Sequence, residues 1–368
     1  MATTTDTPRG SWGNRLMASR KFQAWAAQFP LTRRLVRKEG EAMFDLLAGF
    51  CHSQVLMALV QLDIFATLAA RPQTAQALAT QTQVPEDRME ILLRAAIALK
   101  LLKRKSRNRV ALTRSGAALV GVPGLTQMIA HHDVLYADLA DPAAFFRGEV
   151  DTKLARFWPY VFGGEMDPEI AATYSDLMAQ SQVLVAEDTL RAVSLKDAGH
   201  VMDIGGGTGA FLEAVGRKYP DTQLSLFDLP QVAPEAQQRF AQAGMAARTT
   251  IHPGSFKTGP VPDGADTLTL IRVLYDHADA TVVDLLAKCF AALPSGGQLL
   301  ISEPMSGGAK PIRSTDVYFS IYTLAMQTGK TRSAQQIRGL CEAAGFQDVR
   351  IYPARRPFVT QCVTARKR

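Results

Sequence analysis

The chain has 368 residues, 47% of them hydrophobic and 20% charged, which suits two ordinary globular domains and excludes a disordered or collagen-like protein. No stretch approaches the ~20 apolar residues that span a bilayer, and the first residues hold no continuous apolar run, so a secretory signal is not expected. The formal net charge of +7 is concentrated in residues 1–40, where eight basic side chains face only Asp6 and Glu39; a chain that is close to neutral elsewhere is not a globally basic nucleic-acid binder.

In chain order, the arm 1–40 comes first. Its cations, among them Arg15, Lys21, Arg33 and Lys38, are interleaved with Trp12, Phe22, Trp25, Phe29 and Leu35. The pattern suits an interfacial helix pair broken at Pro30, lying on an anionic membrane or packed on a partner subunit. Residues 41–124 follow. Phe44, Leu47, Val55, Leu59, Leu62 and Phe65 recur at helical steps. Thr74 caps a short helix and Pro85 opens another. Lys103 to Asn108 reads as a basic turn between two short strands, before a helix from Ser115. Helices followed by such a hairpin make a winged helix, used for DNA or for dimerisation. Lys103-Arg104-Lys105 is the one DNA-like feature, and such a run is usually a solvated turn.

Residues 125–368 form the third segment. Its first part, to about 195, is predicted helical, with Phe145, Phe146, Phe157, Trp158, Tyr160 and Phe162 clustered and a loop at Gly163-Gly164. From Gly199 the period changes. Strands are predicted at 201–204, 224–228, 249–252, 267–273 and 298–302, with intervening helices near 231–243, 280–293 and 313–327. That alternation predicts an α/β, doubly wound, mostly parallel sheet. Val349–Tyr352 and Phe358–Thr364 would close it as an edge hairpin.

The strongest motif is Asp203-Ile-Gly-Gly-Gly-Thr-Gly209, placed after a strand and before a helix. Glycine is needed where the backbone turns sharply and a ligand must come close. Gly205-x-Gly207-x-x-Ala210 fits a dinucleotide fingerprint, and Asp228 lies nineteen positions past Gly209, where an acid would hold a ribose. NAD and S-adenosylmethionine both satisfy that pattern. Four dispersed cysteines without a C-x-x-C pair argue against zinc or a disulfide framework and for a reducing cytosol. His131-His132 looks like a metal pair but has no further ligands at suitable spacing, so no metal is expected.

Beyond the glycine loop, Phe227-Asp-Leu-Pro, Gly254-Ser-Phe, Tyr275-Asp-His, Ile301-Ser-Glu-Pro, Gly329-Lys-Thr-Arg-Ser and Ala344-Gly-Phe occur in one order. In that order and spacing, from about Gly40 to Thr364, the chain resembles the S-adenosylmethionine-dependent small-molecule O-methyltransferases of the caffeate and acetylserotonin type. The resemblance implies a Rossmann-like methyltransferase domain behind a winged-helix dimerisation domain, and a homodimer. It implies that Asp203, Gly205, Gly207 and Gly209 approach the cofactor, that Asp228 binds its ribose, and that Ser255 and Phe256 flank its adenine. Ser255 stands where the family usually has aspartate.

The catalytic position departs from the family, whose base is the histidine of a His-Asp-Trp tripeptide between two glutamates. Here Tyr275 occupies the base position, Glu303 matches one glutamate and Thr331 replaces the other. Methyl transfer is an in-line displacement in which the protein supplies mostly proximity and alignment. A tyrosine of pKa ~10 suits orienting an aliphatic alcohol better than ionising a phenol. His277 is the alternative base if its ring points inward.

The opening Arg9-Gly-Ser-Trp-Gly-Asn-Arg-Leu, together with Phe29-Pro-Leu-Thr-Arg, His131-His-Asp-Val-Leu-Tyr and Arg272-Val-Leu-Tyr-Asp-His, resembles the carotenoid O-methyltransferases of purple photosynthetic bacteria. Those act on the tertiary C1 hydroxyl of hydroxyneurosporene or demethylspheroidene. An apolar alcohol acceptor, and a cytoplasmic location or one peripheral to the cytoplasmic membrane face, follow as expectations. The alternatives are a phenolic natural-product methyltransferase, a bacteriochlorophyll-type C-methyltransferase and a non-catalytic regulatory protein that binds the cofactor.

Overall fold

The computed structural model describes residues 12–157 and 168–368, and side chains outside 157–179. The expectations for Arg9-Gly-Ser, Trp158, Tyr160, Phe162 and Gly163-Gly164 lie outside the described residues, as does the side chain of Phe157. The chain divides into two compact units, to Leu119 and from Val120.

The first unit is helical. Helices α1 (Trp12–Met17), α2 (Arg20–Gln28) and α3 (Arg33–Leu47) carry the basic arm. The chain turns between α2 and α3 at Pro30, which cannot continue a helix, and α3 runs through residue 40 without a break. Helices α4 (Gly49–Gln61), α5 (Ile64–Ala70), α6 (Ala75–Thr82) and α7 (Glu86–Ala98) pack Leu59, Ile64, Phe65, Leu78, Met89 and Leu93 into one core. The Thr74 side chain accepts the Ala77 amide N–H, the expected cap. The wing is a three-stranded sheet, β1 (Gln73–Thr74) and β2 (Leu102–Lys105) flanking β3 (Arg109–Leu112). Two details differ from the sequence reading. Lys103-Arg104-Lys105 lies in β2 rather than in the turn, because the tight turn needs only residues 106–108, where Arg107 and Asn108 adopt positive φ. Strand β1, two residues long, is too short for a period to reveal. Helix α8 (Arg114–Gly121) spans the division between units.

The second unit opens with α9 (Leu125–Asp138), α10 (Pro142–Arg147), α11 (Lys153–Phe157) and α12 (Pro168–Ala192). The sheet follows, with β4 (His200–Ile204), β5 (Gln223–Asp228), β6 (Thr249–Pro253), β7 (Thr267–Ile271), β8 (Gln298–Glu303), β9 (Gln347–Ile351) and β10 (Gln361–Arg366) in the order β6-β5-β4-β7-β8-β10-β9. The first five are parallel and β10 is antiparallel to both neighbours. Every residue of β7 is buried, as a strand covered on both faces requires. One core packs Leu268, Leu270, Leu285, Leu286, Ile301 and Ile337, and another packs Val201, Phe211, Leu224, Leu226 and Phe240. Helices α13 (Ala210–Lys218), α14 (Ala233–Gln242), α15 (Asp279–Ala292), α16 (Tyr318–Ala325) and α17 (Ala334–Ala343) complete the winding.

The predicted helix at 313–327 begins as one wide π turn, Arg313–Val317, and becomes α-helical only at Tyr318. Strand β10 starts at Gln361, three residues later than expected, because Arg356 to Thr360 close a hydrogen-bonded turn first. Strand order reverses between β4 and β7, so the crevice at their carboxyl ends is where an open α/β sheet takes its ligand. Among the described residues no single helix is long and apolar enough to cross a membrane.

Candidate functional site

The five parallel strands deliver their carboxyl-terminal residues to one edge of the sheet. β4 ends in the glycine loop, β5 in Asp228, β6 before Ser255 and Phe256, β7 before Arg272 to His277, and β8 in Glu303.

The glycine loop has the conformations its composition requires. Gly205, Gly207 and Gly209 sit at φ +67°, +57° and +79°. A Cβ on Gly209 would stand 2.3 Å from Phe240 Cζ, so this glycine seats α13 on the core. A Cβ on Gly207 would meet no atom within 4 Å, so this glycine leaves room above it. Beside that space, Asp228 accepts N–H bonds of 2.6 Å from Gly207 on Oδ2 and from Leu229 on Oδ1. Each carboxylate oxygen keeps a lone pair, enough for a vicinal diol. Burial raises this carboxyl, and the two backbone N–H bonds counter it. Phe256 packs near Gly205 and meets the His277 ring edge-on at 5.3 Å. Ser255 Oγ accepts the Lys257 amide at 3.3 Å. Open glycine backbone, a diol-binding acid and a flanking aromatic fit an adenosine-bearing cofactor.

Asp203 is placed differently from the expectation. It is fully buried beneath the loop, with Oδ1 bonded to Thr269 Oγ1 at 2.5 Å and Oδ2 under Gly206. Desolvation pushes it to about 8, and in this structure it is a buried support of the loop.

The acceptor side centres on Tyr275, which is 3% exposed. Arg272 donates from Nε and Nη2 to its hydroxyl at 3.3 and 3.2 Å, and from Nη1 to Ser181 Oγ at 2.7 Å. Arg272 holds φ at +59°, a costly conformation for a residue that carries a Cβ, and the residue is fixed by its N–H bond to Ser302 O. Burial drives the phenol above its ordinary value against the Arg272 charge, so Tyr275 is neutral.

Glu303 touches the tyrosine's backbone rather than its hydroxyl. Its Oε2 accepts the Tyr275 N–H at 3.1 Å, and burial pushes it to about 8. His277 faces Phe256, and burial, Lys257 and Arg332 take it down to about 4. The ring lies on the Phe256 side and is not a partner of the Tyr275 hydroxyl. Thr331 is turned away as well, joined to Ser306 and Ser320 in a triangle of hydroxyls at 2.5, 2.9 and 3.2 Å.

Several residues escaped the sequence reading as site residues. Arg272 was quoted only as part of a motif. Arg332, 1% exposed, donates to the carbonyls of Leu274 and His277 and pairs with Asp279, so it clamps the Tyr275 turn. The alternating cation and hydroxyl residues of Gly329-Lys-Thr-Arg-Ser were the available signal. His131 and His132 bond the hydroxyls of Tyr322 and Tyr318 at 3.1 and 2.7 Å. Among the described residues no group of His, Cys, Asp or Glu is placed to hold a metal.

Residues 136–347 match the O-methyltransferase domain family, and residues 44–121 match the O-methyltransferase dimerisation domain. The chain is 54% identical to the demethylspheroidene O-methyltransferase of Cereibacter sphaeroides over 96% of its own length and 94% of that protein's. It is 48% identical to the demethylspheroidene O-methyltransferase of Rhodobacter capsulatus, over 98% and 90%. The crystal structure of CalO1, a methyltransferase in calicheamicin biosynthesis in its SAH-bound form, superposes with a TM-score of 0.74 at 26% identity, covering 90% of this chain and 98% of that one.

Proposed function

This chain belongs to the O-methyltransferase family, as an S-adenosylmethionine-dependent, homodimer-forming enzyme, and from that premise we propose that its acceptor is the tertiary hydroxyl of a demethylspheroidene-type carotenoid. The observation that carries the reading is the 54% identity along nearly the whole of both chains. The site supports it chemically. A neutral Tyr275 held by Arg272 suits an alcohol that stays protonated until attack, and suits a phenol that must ionise less well.

In this proposal Gly205, Gly207 and Gly209 admit the cofactor, Asp228 takes its ribose hydroxyls, and Ser255, Phe256 and His277 flank its adenine. The cofactor supplies an electrophilic methyl group. Tyr275 points its O–H at the acceptor oxygen, Arg272 fixes the phenol, and Glu303 and Arg332 hold the turn that carries it. Aligning acceptor and methyl is the main contribution of the protein. Incubating the purified enzyme with labelled methyl donor and either demethylspheroidene or acetylserotonin tests the reading. Label should enter the carotenoid alone; label in the phenol-derived indole alone would overturn it.

We further propose that residues 1–40, on an enzyme working at the cytoplasmic membrane face, collect this water-insoluble acceptor from an anionic bilayer. What supports this is composition and exposure. From residue 12 to 40 there are seven cations against Glu39, and Trp12, Trp25, Leu31 and Leu35 stand exposed. Cations near an anionic leaflet are worth ~1 kcal/mol each, and apolar side chains add burial. Binding to anionic vesicles should weaken with salt without vanishing. A chain lacking the arm that binds vesicles equally well would assign the arm to the partner subunit.

A further inference from the structure

We propose that the proton leaving the acceptor hydroxyl is taken by Tyr318 backed by His132, and not by Tyr275. The proposal rests on the alcohol-methylating reading above and names the group that this reading leaves open.

The argument starts from lone pairs. A phenol oxygen has two, and in Tyr275 both face N–H donors of Arg272. Tyr275 can give a hydrogen bond to the acceptor but has no lone pair left to receive its proton. Tyr318 is arranged in the opposite sense. Its hydroxyl lies 2.7 Å from His132 Nε2. The Ile129 carbonyl acts on the His132 ring in the sense that favours a ring N–H. In this proposal the ring proton sits on Nδ1, and Nε2 offers its lone pair to the Tyr318 hydroxyl. Tyr318 then donates to His132, and among the described residues its oxygen accepts from no other group. Burial raises its phenol, and Tyr275, Arg272 and Tyr136 lie near enough to act on it, so these groups belong to one polar cluster.

Burial lowers His132 from its usual value, so the ring is a neutral base near neutral pH. The ionisable groups around it are His131, Asp133 and Tyr136 on its own helix and Tyr318 on α16, with Arg272 and Tyr275 behind. On the other elements packed against α9, the described charges are engaged elsewhere or exposed: Arg156 with Asp151, Asp188 and Glu187 with Arg356, Arg191 with Glu187, and Lys153 at the surface.

The step balances. The acceptor oxygen forms the new C–O bond as the C–S bond breaks, and that electron pair stays on sulfur. The hydroxyl proton passes to Tyr318 Oη while the Tyr318 proton passes to His132 Nε2. The imidazolium then releases a proton to solvent. Tyr318 is the catalytic residue here and His132 its positioning partner.

His131 and Tyr322, bonded in the same way at 3.1 Å one turn along α16, are the matched control. Tyr318→Phe and His132→Gln should each lower kcat by about 100-fold or more, within the range for a lost base, with cofactor binding and melting temperature retained. His132→Gln should also erase the acid limb of the kcat/KM profile, which a merely structural change would not do. His131→Gln and Tyr322→Phe should change kcat by less than about threefold on the same scale. In 15N spectra of histidine-labelled enzyme, the His132 Nε2 signal should shift in Tyr318→Phe, whether or not any acceptor is turned over. Unchanged kcat in Tyr318→Phe, an intact acid limb in His132→Gln, or an unmoved Nε2 signal each overturns the proposal. If the wild-type enzyme methylates no alcohol while the Nε2 signal moves as expected, the alcohol reading has failed and the dyad's proton role falls with it.

Discussion

In the site we propose, the cofactor half is made of backbone and the acceptor half of side chains. On one side of the crevice, three glycines and the N–H groups of Gly207 and Leu229 do the shaping, and Asp228 is the one charged group they hold. On the other side, Arg272 and Tyr275 come from one stretch and Tyr318 and His132 from two further places in the chain, and the bonds that join them are between side chains. A backbone-built half tolerates only glycine at its turns but is indifferent to what the acceptor is. A half built of side chains can be re-cut by substitution, which is how a family of one cofactor serves many acceptors.

The largest effect should separate two glycines that look alike. Gly209→Ala places a methyl group inside the Phe240 ring at an unfavourable φ, so stability should fall by at least ~3 kcal/mol, read as a lower midpoint in urea. Gly207→Ala has space for its methyl and should cost the fold only ~1 kcal/mol, while calorimetry shows much weaker cofactor binding. Equal melting and equal binding in the two variants would end the distinction between a glycine that seats a helix and one that clears a ligand.

Tyr275→Phe should come next. It keeps the ring and removes the hydroxyl that orients the acceptor, so kcat should fall by roughly 5- to 150-fold, the loss of one hydrogen bond of ~1–3 kcal/mol, with cofactor affinity unchanged. A loss of cofactor affinity instead would mean the halves are not separable. Asp228→Ala is the mirror experiment. It should weaken cofactor binding by ~1.5–3 kcal/mol, as expected for hydrogen bonds to a charged acceptor, and leave acceptor affinity alone.

The two halves were unequally legible in the sequence for the same reason. The glycine loop, Asp228 and the alternation of strands and helices are local, so spacing alone placed them. The winged helix and the edge hairpin followed from the periodicity of their elements, and the Tyr275 tripeptide from motif order. Arg272 and the His132–Tyr318 pair did not, because the latter's members lie 186 positions apart and one sequence records no such pairing. The orientations of His277 and Asp203 were not legible for a related reason: adjacency in a motif does not say which way a side chain turns. Asp203 turns under its loop and His277 toward Phe256.

Each half also stands on a buried carboxyl, Asp203 under the loop and Glu303 under the Tyr275 turn, and both are pushed to about 8. Glu303 allows the smallest and cleanest test. Its folded pKa lies above the unfolded value of 4.5, so the folded state holds a proton that the unfolded state has released. The stabilisation is complete below 4.5 and is lost as pH rises through about 8. Glu303→Gln keeps an oxygen to accept the Tyr275 N–H and cannot titrate. Between these limits the wild-type free energy of unfolding should fall by up to ~1.4 kcal/mol per pH unit more steeply than that of the variant. Denaturant midpoints at pH 5, 6, 7 and 8 measure the difference directly. Parallel curves would mean that Glu303 is ionised in the fold, and the acceptor half would then carry a buried negative charge beneath Tyr275, making that tyrosine a weaker donor and a stronger base than its bonds to Arg272 imply.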